Sequence, residues 1–224
     1  MAFQRARSEE QREVRRRAIL DTASTMLEEM PVLEVGLNEL SRRVGLAKSN
    51  VLRYFESREA VFLELLDKFL GHWLSELREA LAIGVSLDAS TDTRANQLSE
   101  VLSQSLAERV VLCDLFGAQG SVLEHNVSLE VVKRHKRAAL VRLEEMTALM
   151  RYHLPELEQK EAQLFCLMSL VSAGALSSYS RPPPSLLAAY EDEPALGALR
   201  LAPQEALRLS FVSTLLGVLP RKRE

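Results

Sequence analysis

Phe62, Leu65, Leu66, Phe69, Leu70, Trp73, Leu74, Leu77 and Leu81 all fall on one face of a 3.6-residue repeat. No strand can use that spacing, because strand faces repeat every second residue. The stripe therefore predicts one long helix from about Arg58 to Leu81. It is wide enough to need two partners, the elements before it and something larger after it.

The same period runs through most of the chain. Ile19, Ala23, Met26, Leu27 and Met30 share a helical face that Pro31 stops. Short helices fit Asn38–Val44 and Lys48–Phe55, with Gly45 suited to the left-handed position past a helix end. Ile83–Asp92 reads as a polar linker. Further helices are predicted at Arg94–Glu108, Val110–Glu124, Ser128–Tyr152, Leu157–Tyr179 and Pro203–Leu219. Ser128 would cap one of these, Pro155 would end it, and Pro203 suits a first helical turn. Arg181–Ala202, rich in proline, reads as a long loop. With 9 Gly and 8 Pro in 224 residues, and no βαβ alternation, the expected fold class is all-α.

Composition excludes several functions. Residues 1–17 hold six arginines and no apolar leader core, so the expected location is the cytoplasm. Gln163–Ser180 lies in the longest uncharged run, but its Ser, Gln and Gly content favours a buried helix over a membrane span. His72, His125, His135 and His153 form no ligand-spaced pair, and Cys113 and Cys166 lie far apart. Neither metal nor cofactor is expected, and no nucleophile motif or phosphate loop suggests an enzyme.

Charge points elsewhere. The net charge is −3, yet Arg42–Arg58 holds five basic residues against one acidic. With Leu37 as the first position of a helix-turn-helix, Leu40, Val44, Leu46 and Val51 take the packing positions, Ser41 the small one and Gly45 the turn. Lys48, Ser49, Asn50, Arg53 and Tyr54 would then face outward. These side-chain types bond base edges and phosphates in a major groove.

The stretch ELSRRVGLAKSNVLRYFESREAVFLELL closely resembles the helix-turn-helix of the TetR family of bacterial transcriptional regulators. The resemblance covers roughly the first 60 to 80 residues, and LFGAQGSVLEHNVS is similar to segments of some members. It implies a DNA-binding domain over residues 1–60, joined by the fourth helix to an effector-binding and dimerisation domain over 61–224. By the same resemblance, DNA contacts are expected from Asn38, Arg42, Lys48, Ser49, Asn50, Leu52, Arg53, Tyr54 and Arg58. Arg58 stands where the family usually has a lysine beside a phosphate. Three positions depart from the pattern: Gly36 replaces a threonine, Ala47 forfeits a serine or threonine cap, and Leu52 replaces a tyrosine.

The implied partners are an operator in double-stranded DNA, a second copy of the chain, and a small-molecule effector. Trp73, Cys113, Phe116, Met146, Met150, Phe165 and Met168 are large or polarisable, and are candidates for lining a hydrophobic or amphipathic effector's pocket. Leu164, Leu167, Val171 and Gly174, with Leu207, Phe211 and Leu215, are candidates for a dimer interface. There Ala173-Gly174-Ala175 would let two backbones approach. Lys133–Arg137 reads as a solvated basic face. The competing reading is a helical adaptor acting through protein contacts alone.

Overall fold

The computed structural model describes residues 2–219, with side chains from residue 9 onward. Arg5 and Arg7 of the N-terminal basic run lie outside the described side chains. Regular structure among the described residues is helical throughout: α1 (Ala2–Glu29), α2 (Leu37–Val44), α3 (Lys48–Val51), α4 (Arg58–Gly84), α5 (Thr91–Ala107), α6 (Val110–Ala118), α7 (Leu129–His153), α8 (Gln159–Leu176), α9 (Pro184–Asp192) and α10 (Pro203–Val218).

The α4 stripe organises the molecule. Phe62, Leu65, Leu66, Leu70, Trp73, Leu74, Leu77 and Leu81 are buried, and only Phe69 stays partly exposed. The helix packs on α1, α5, α6 and α7. Ser57 caps α4, its Oγ accepting the Ala60 N–H at 3.1 Å, a signal the periodicity did not contain. In the body, α10 lies along α5 and α8, and α6 lies on α8. Phe165 of α8 meets Phe211 of α10 edge to face at 6.1 Å.

Several boundaries moved for local reasons. Ser90 accepts the Thr93 N–H, so α5 starts at Thr91 rather than Arg94. The helix read as Val110–Glu124 is α6 followed by a π-helical turn, Gln119–Leu123. The Arg181–Ala202 loop instead folds into α9 and a 3-10 turn at Pro194–Leu199. Pro184 serves as a first helical residue there, and Leu186, Leu187, Ala188 and Ala189 are good helix formers. No residue of α9 is buried.

Candidate nucleic-acid interface and effector cavity

The turn between α2 and α3 is built by Gly45, at φ 73°. Its N–H reaches Arg42 O at 3.2 Å, and the Leu46 N–H reaches Ser41 O at 3.0 Å, so the last carbonyls of α2 are satisfied by a left-handed cap. Leu40, Val51 and Phe55 are buried in the core, where α2 packs on α1 and α3. Ala47 makes no side-chain cap, and α3 is correspondingly short. The turn that follows it keeps helical bonds, with the Tyr54 and Phe55 N–H groups on Val51 O.

This anchoring leaves Asn38, Arg42, Lys48, Ser49, Asn50, Leu52 and Arg53 exposed on one rim, with Tyr54 partly buried. Arg42 is not electrostatically free. It pairs with Glu39 at 2.6 Å, and Arg43 also bonds that carboxylate, at 3.0 Å. Arg42 first and Arg43 second hold Glu39 down to about 2. Arg58 is more committed still. Its Nη1 donates to Val35 O at 2.7 Å and its Nε to Glu59 at 2.9 Å, which leaves Nη2 as the group open to an anion.

Three cross-links that sequence reading missed tie this head to the body. The Val32 N–H donates to Asp114 at 2.8 Å, Ser128 N–H to Glu56, and Arg181 to Leu27 O and Glu28 O at 3.4 and 3.3 Å. Arg16 is a fourth fastening, within the head and on α4. It pairs with Glu64, donates to Tyr54 O at 3.1 Å and lies over the Phe55 ring at 4.2 Å. Partners so distant along the chain leave no local signal.

The body contains a cavity of about 470 Å³ between α4, the π-helical turn, α7 and α8. Leu70, Phe116, Leu143, Met146, Leu167, Leu170 and Val171 give it apolar walls. Gln119, Glu124, Lys136 and Arg142 supply polar groups. Lys136 pairs with Glu124 at 2.6 Å. Arg142 bonds Asp67 at 3.3 Å and lies so close over Gly71 that a Cβ there would meet its guanidinium at 2.9 Å.

His135 is buried beside the same network, its Nε2 3.1 Å from Gln119 and its Nδ1 unpartnered. Its burial lowers its pKa, with Glu124 opposing. The basic run Lys133–Arg137 is thus exposed at four positions and buried at His135.

The predicted pocket residues divide. Phe116 and Met146 line this cavity, whereas Trp73 lines a separate cleft of about 440 Å³ with Phe69, His72 and Arg109, and donates to Ser105 at 2.8 Å. Cys113, Met150 and Phe165 are packed in the core away from the cavity walls, and Met168 points outward. Burial pushes both Cys113 and Cys166 up to about 12, so neither thiol is reactive at neutral pH.

The predicted interface residues divide too. Leu164, Leu167 and Val171 are exposed on α8, joined by Met168 and by Leu209 and Leu216 of α10. Ser172 and Ser210, 3.4 Å apart, hold the two helices side by side. Leu207, Phe211 and Leu215 instead face inward, because α10 packs that side on α5 and α8 of its own chain. Gly174 is likewise internal. A Cβ there would meet Gly117 N at 2.7 Å, so the close backbone approach is between α8 and α6. Gln159–Ser180 is long and apolar enough to cross a membrane, with 39% of its most apolar window buried in the fold. The exposed share is the leucine face just described.

A helix-turn-helix head fastened to an all-helical body with an apolar cavity has the layout of a DNA-binding regulator. Residues 19–65 match the family described as bacterial regulatory proteins, tetR family, and residues 67–222 match the tetracyclin repressor-like C-terminal domain. The chain belongs to the TetR family of bacterial transcriptional regulators.

Its relatives include the HTH-type transcriptional regulator EthR of Mycobacterium tuberculosis, 39% identical over 51 residues. That match spans 23% of this chain and only 24% of EthR. The fold is similar to FadR of Thermus thermophilus, a repressor solved with lauroyl-CoA, at TM-score 0.57 and 16% identity over 93% of this chain and 97% of that one. It is also similar to FadR of Bacillus subtilis, solved with stearoyl-CoA, at TM-score 0.51 and 12% identity over 91% and 98%. At such identities the likeness is one of fold.

Proposed function

We propose that this chain acts in the cytoplasm as a homodimeric repressor, released from a near-palindromic operator by an amphipathic small molecule. The observation that carries this reading is the position of α4. One end of it is tied to the DNA-reading head by Arg58 on Val35 O and by Glu64 on Arg16, and Leu70, farther along, forms part of the cavity wall. A ligand that prefers one setting of α4 shifts the two heads only to the extent of its unequal affinity for the two settings.

On this reading residues 1–60 form the DNA-binding domain and 61–224 the effector and dimerisation domain. Lys48, Ser49, Asn50, Leu52 and Arg53 read or grip DNA, Tyr54 supports them, and Asn38 and Arg42 line the rim. The exposed leucines of α8 and α10 meet their copies in a four-helix bundle, setting two recognition segments about one helical turn apart. The apolar cavity with Lys136 and Arg142 at its edge suits a ligand with a hydrocarbon body and an anionic group. The acyl-CoA bound to the two FadR proteins has that chemistry.

The test begins with a duplex recovered by the protein from a random-sequence pool. Lys48→Ala with Tyr54→Ala should abolish its mobility shift while sedimentation still reports a dimer. Undiminished binding would remove α3 from the interface. Long-chain acyl-CoA should release the wild-type complex, and failure of every amphipath tried would count against the cavity.

A further inference from the structure

Residues 9–15 of α1 have no packing reason to be helical. Residues 9–15 are all exposed, including Val14 at 61%, and the first core residue of α1 is Ile19. A helical extension that buries nothing gains little from tertiary contacts. Its charges are nevertheless sorted. At 100° per residue Gln11, Arg12 and Arg15 fall on one side, and Glu10 and Glu13 on the other. The first side adjoins the DNA-reading head, where Gln11, Arg12, Arg15, Arg53 and Tyr54 line a cleft of about 370 Å³.

The arginines differ in their commitments. Arg16, next in sequence, is spent on Glu64, Tyr54 and Phe55, as described above. Among the described residues Arg12, Arg15 and Arg53 have no carboxylate partner. Three unpaired guanidiniums converge on one cleft, with an amide and a phenol as further donors. Arrays of this kind bind phosphodiester oxygens, since guanidinium forks match them and each contact releases counterions.

We propose that this cleft is a phosphate-binding site for the DNA backbone flanking each half-site, so that α1 extends the interface beyond the helix-turn-helix. The inference rests on the DNA-binding reading above, since Arg53 belongs to both surfaces. What α1 adds to the cleft, Arg12 and Arg15, lies outside the recognition segment. It therefore adds affinity and register without changing sequence preference.

The test measures affinity against salt on the selected duplex and on an unrelated duplex of equal length. Arg12→Gln with Arg15→Gln should lower the slope of log affinity against log salt by about 0.9 per lost contact, or about 3.6 for a dimer engaging two half-sites. The loss should be equal on both duplexes, while the base preference recovered from the random pool is unchanged. Arg12→Lys with Arg15→Lys should restore most of the slope. Gln11→Glu, which keeps both arginines but repels phosphate, should weaken binding at low salt. All these positions are exposed, so thermal unfolding should match the parent's.

An unchanged slope in the double Gln variant, alongside loss of binding in Lys48→Ala, overturns the cleft and leaves the DNA reading intact. A wild-type protein that selects no duplex overturns both.

Discussion

Gly45 shows how much a single backbone conformation carries. Among the described residues it alone has a positive φ, 73°, and nothing lies within 4 Å of where its Cβ would be. A side chain there meets no steric obstacle, so its cost is purely conformational, about 1–2 kcal/mol. Gly45→Ala is expected to lower the calorimetric midpoint by about 2–4 °C per kcal/mol for a chain of this size, and Gly45→Asn to lose less. An alanine variant as stable as the parent would mean that the α2–α3 turn tolerates another geometry. This position was legible in the sequence because its determinants are local: apolar residues at fixed spacing on either side of one glycine. Arg16 was not legible. Its partner Glu64 is 48 residues away, and no period links them.

At the scale of elements, α6 and α8 approach as closely as backbones can. Gly117 and Gly174 face each other, and a Cβ on either would meet backbone atoms of the other at 2.8 or 2.7 Å. Backbone cannot step aside as a side chain can. Gly174→Ala should therefore cost about 1–3 kcal/mol as an overpacked contact and be seen as a lowered urea midpoint. A neutral result would show that α6 shifts freely. The helices themselves were readable from periodicity, but their facing was not. On α10 Leu207, Phe211 and Leu215 make one apolar stripe, while Leu209 and Leu216 stand on another side. Sequence alone does not say which stripe meets the chain's own α5 and which meets solvent. Only the first is buried. The α9 segment departs from the expected loop for a related reason. Its prolines suggested a loop, but a proline in the first helical turn starts a helix as readily as it stops one.

For the whole molecule, the proposed dimer rests on the exposed leucines of α8 and α10. Leu164 and Leu209 are 50% and 62% exposed, a poor arrangement unless a partner covers them. Leu164→Glu with Leu209→Glu is expected to give a monomer at micromolar concentration in analytical ultracentrifugation. Its affinity for the selected duplex should fall by orders of magnitude, because two heads no longer bind as one unit. A dimer that survives both changes would place the interface elsewhere.

Leu167 and Val171 lie on that same outer face and also form part of the cavity wall. On the proposed function, one sheet of side chains would have a second subunit on one side and a guest molecule on the other. Occupancy and assembly then obey mass action together. The ligand isotherm becomes a function of total protein, and dilution alone tunes how much effector the cell must accumulate to switch the operator.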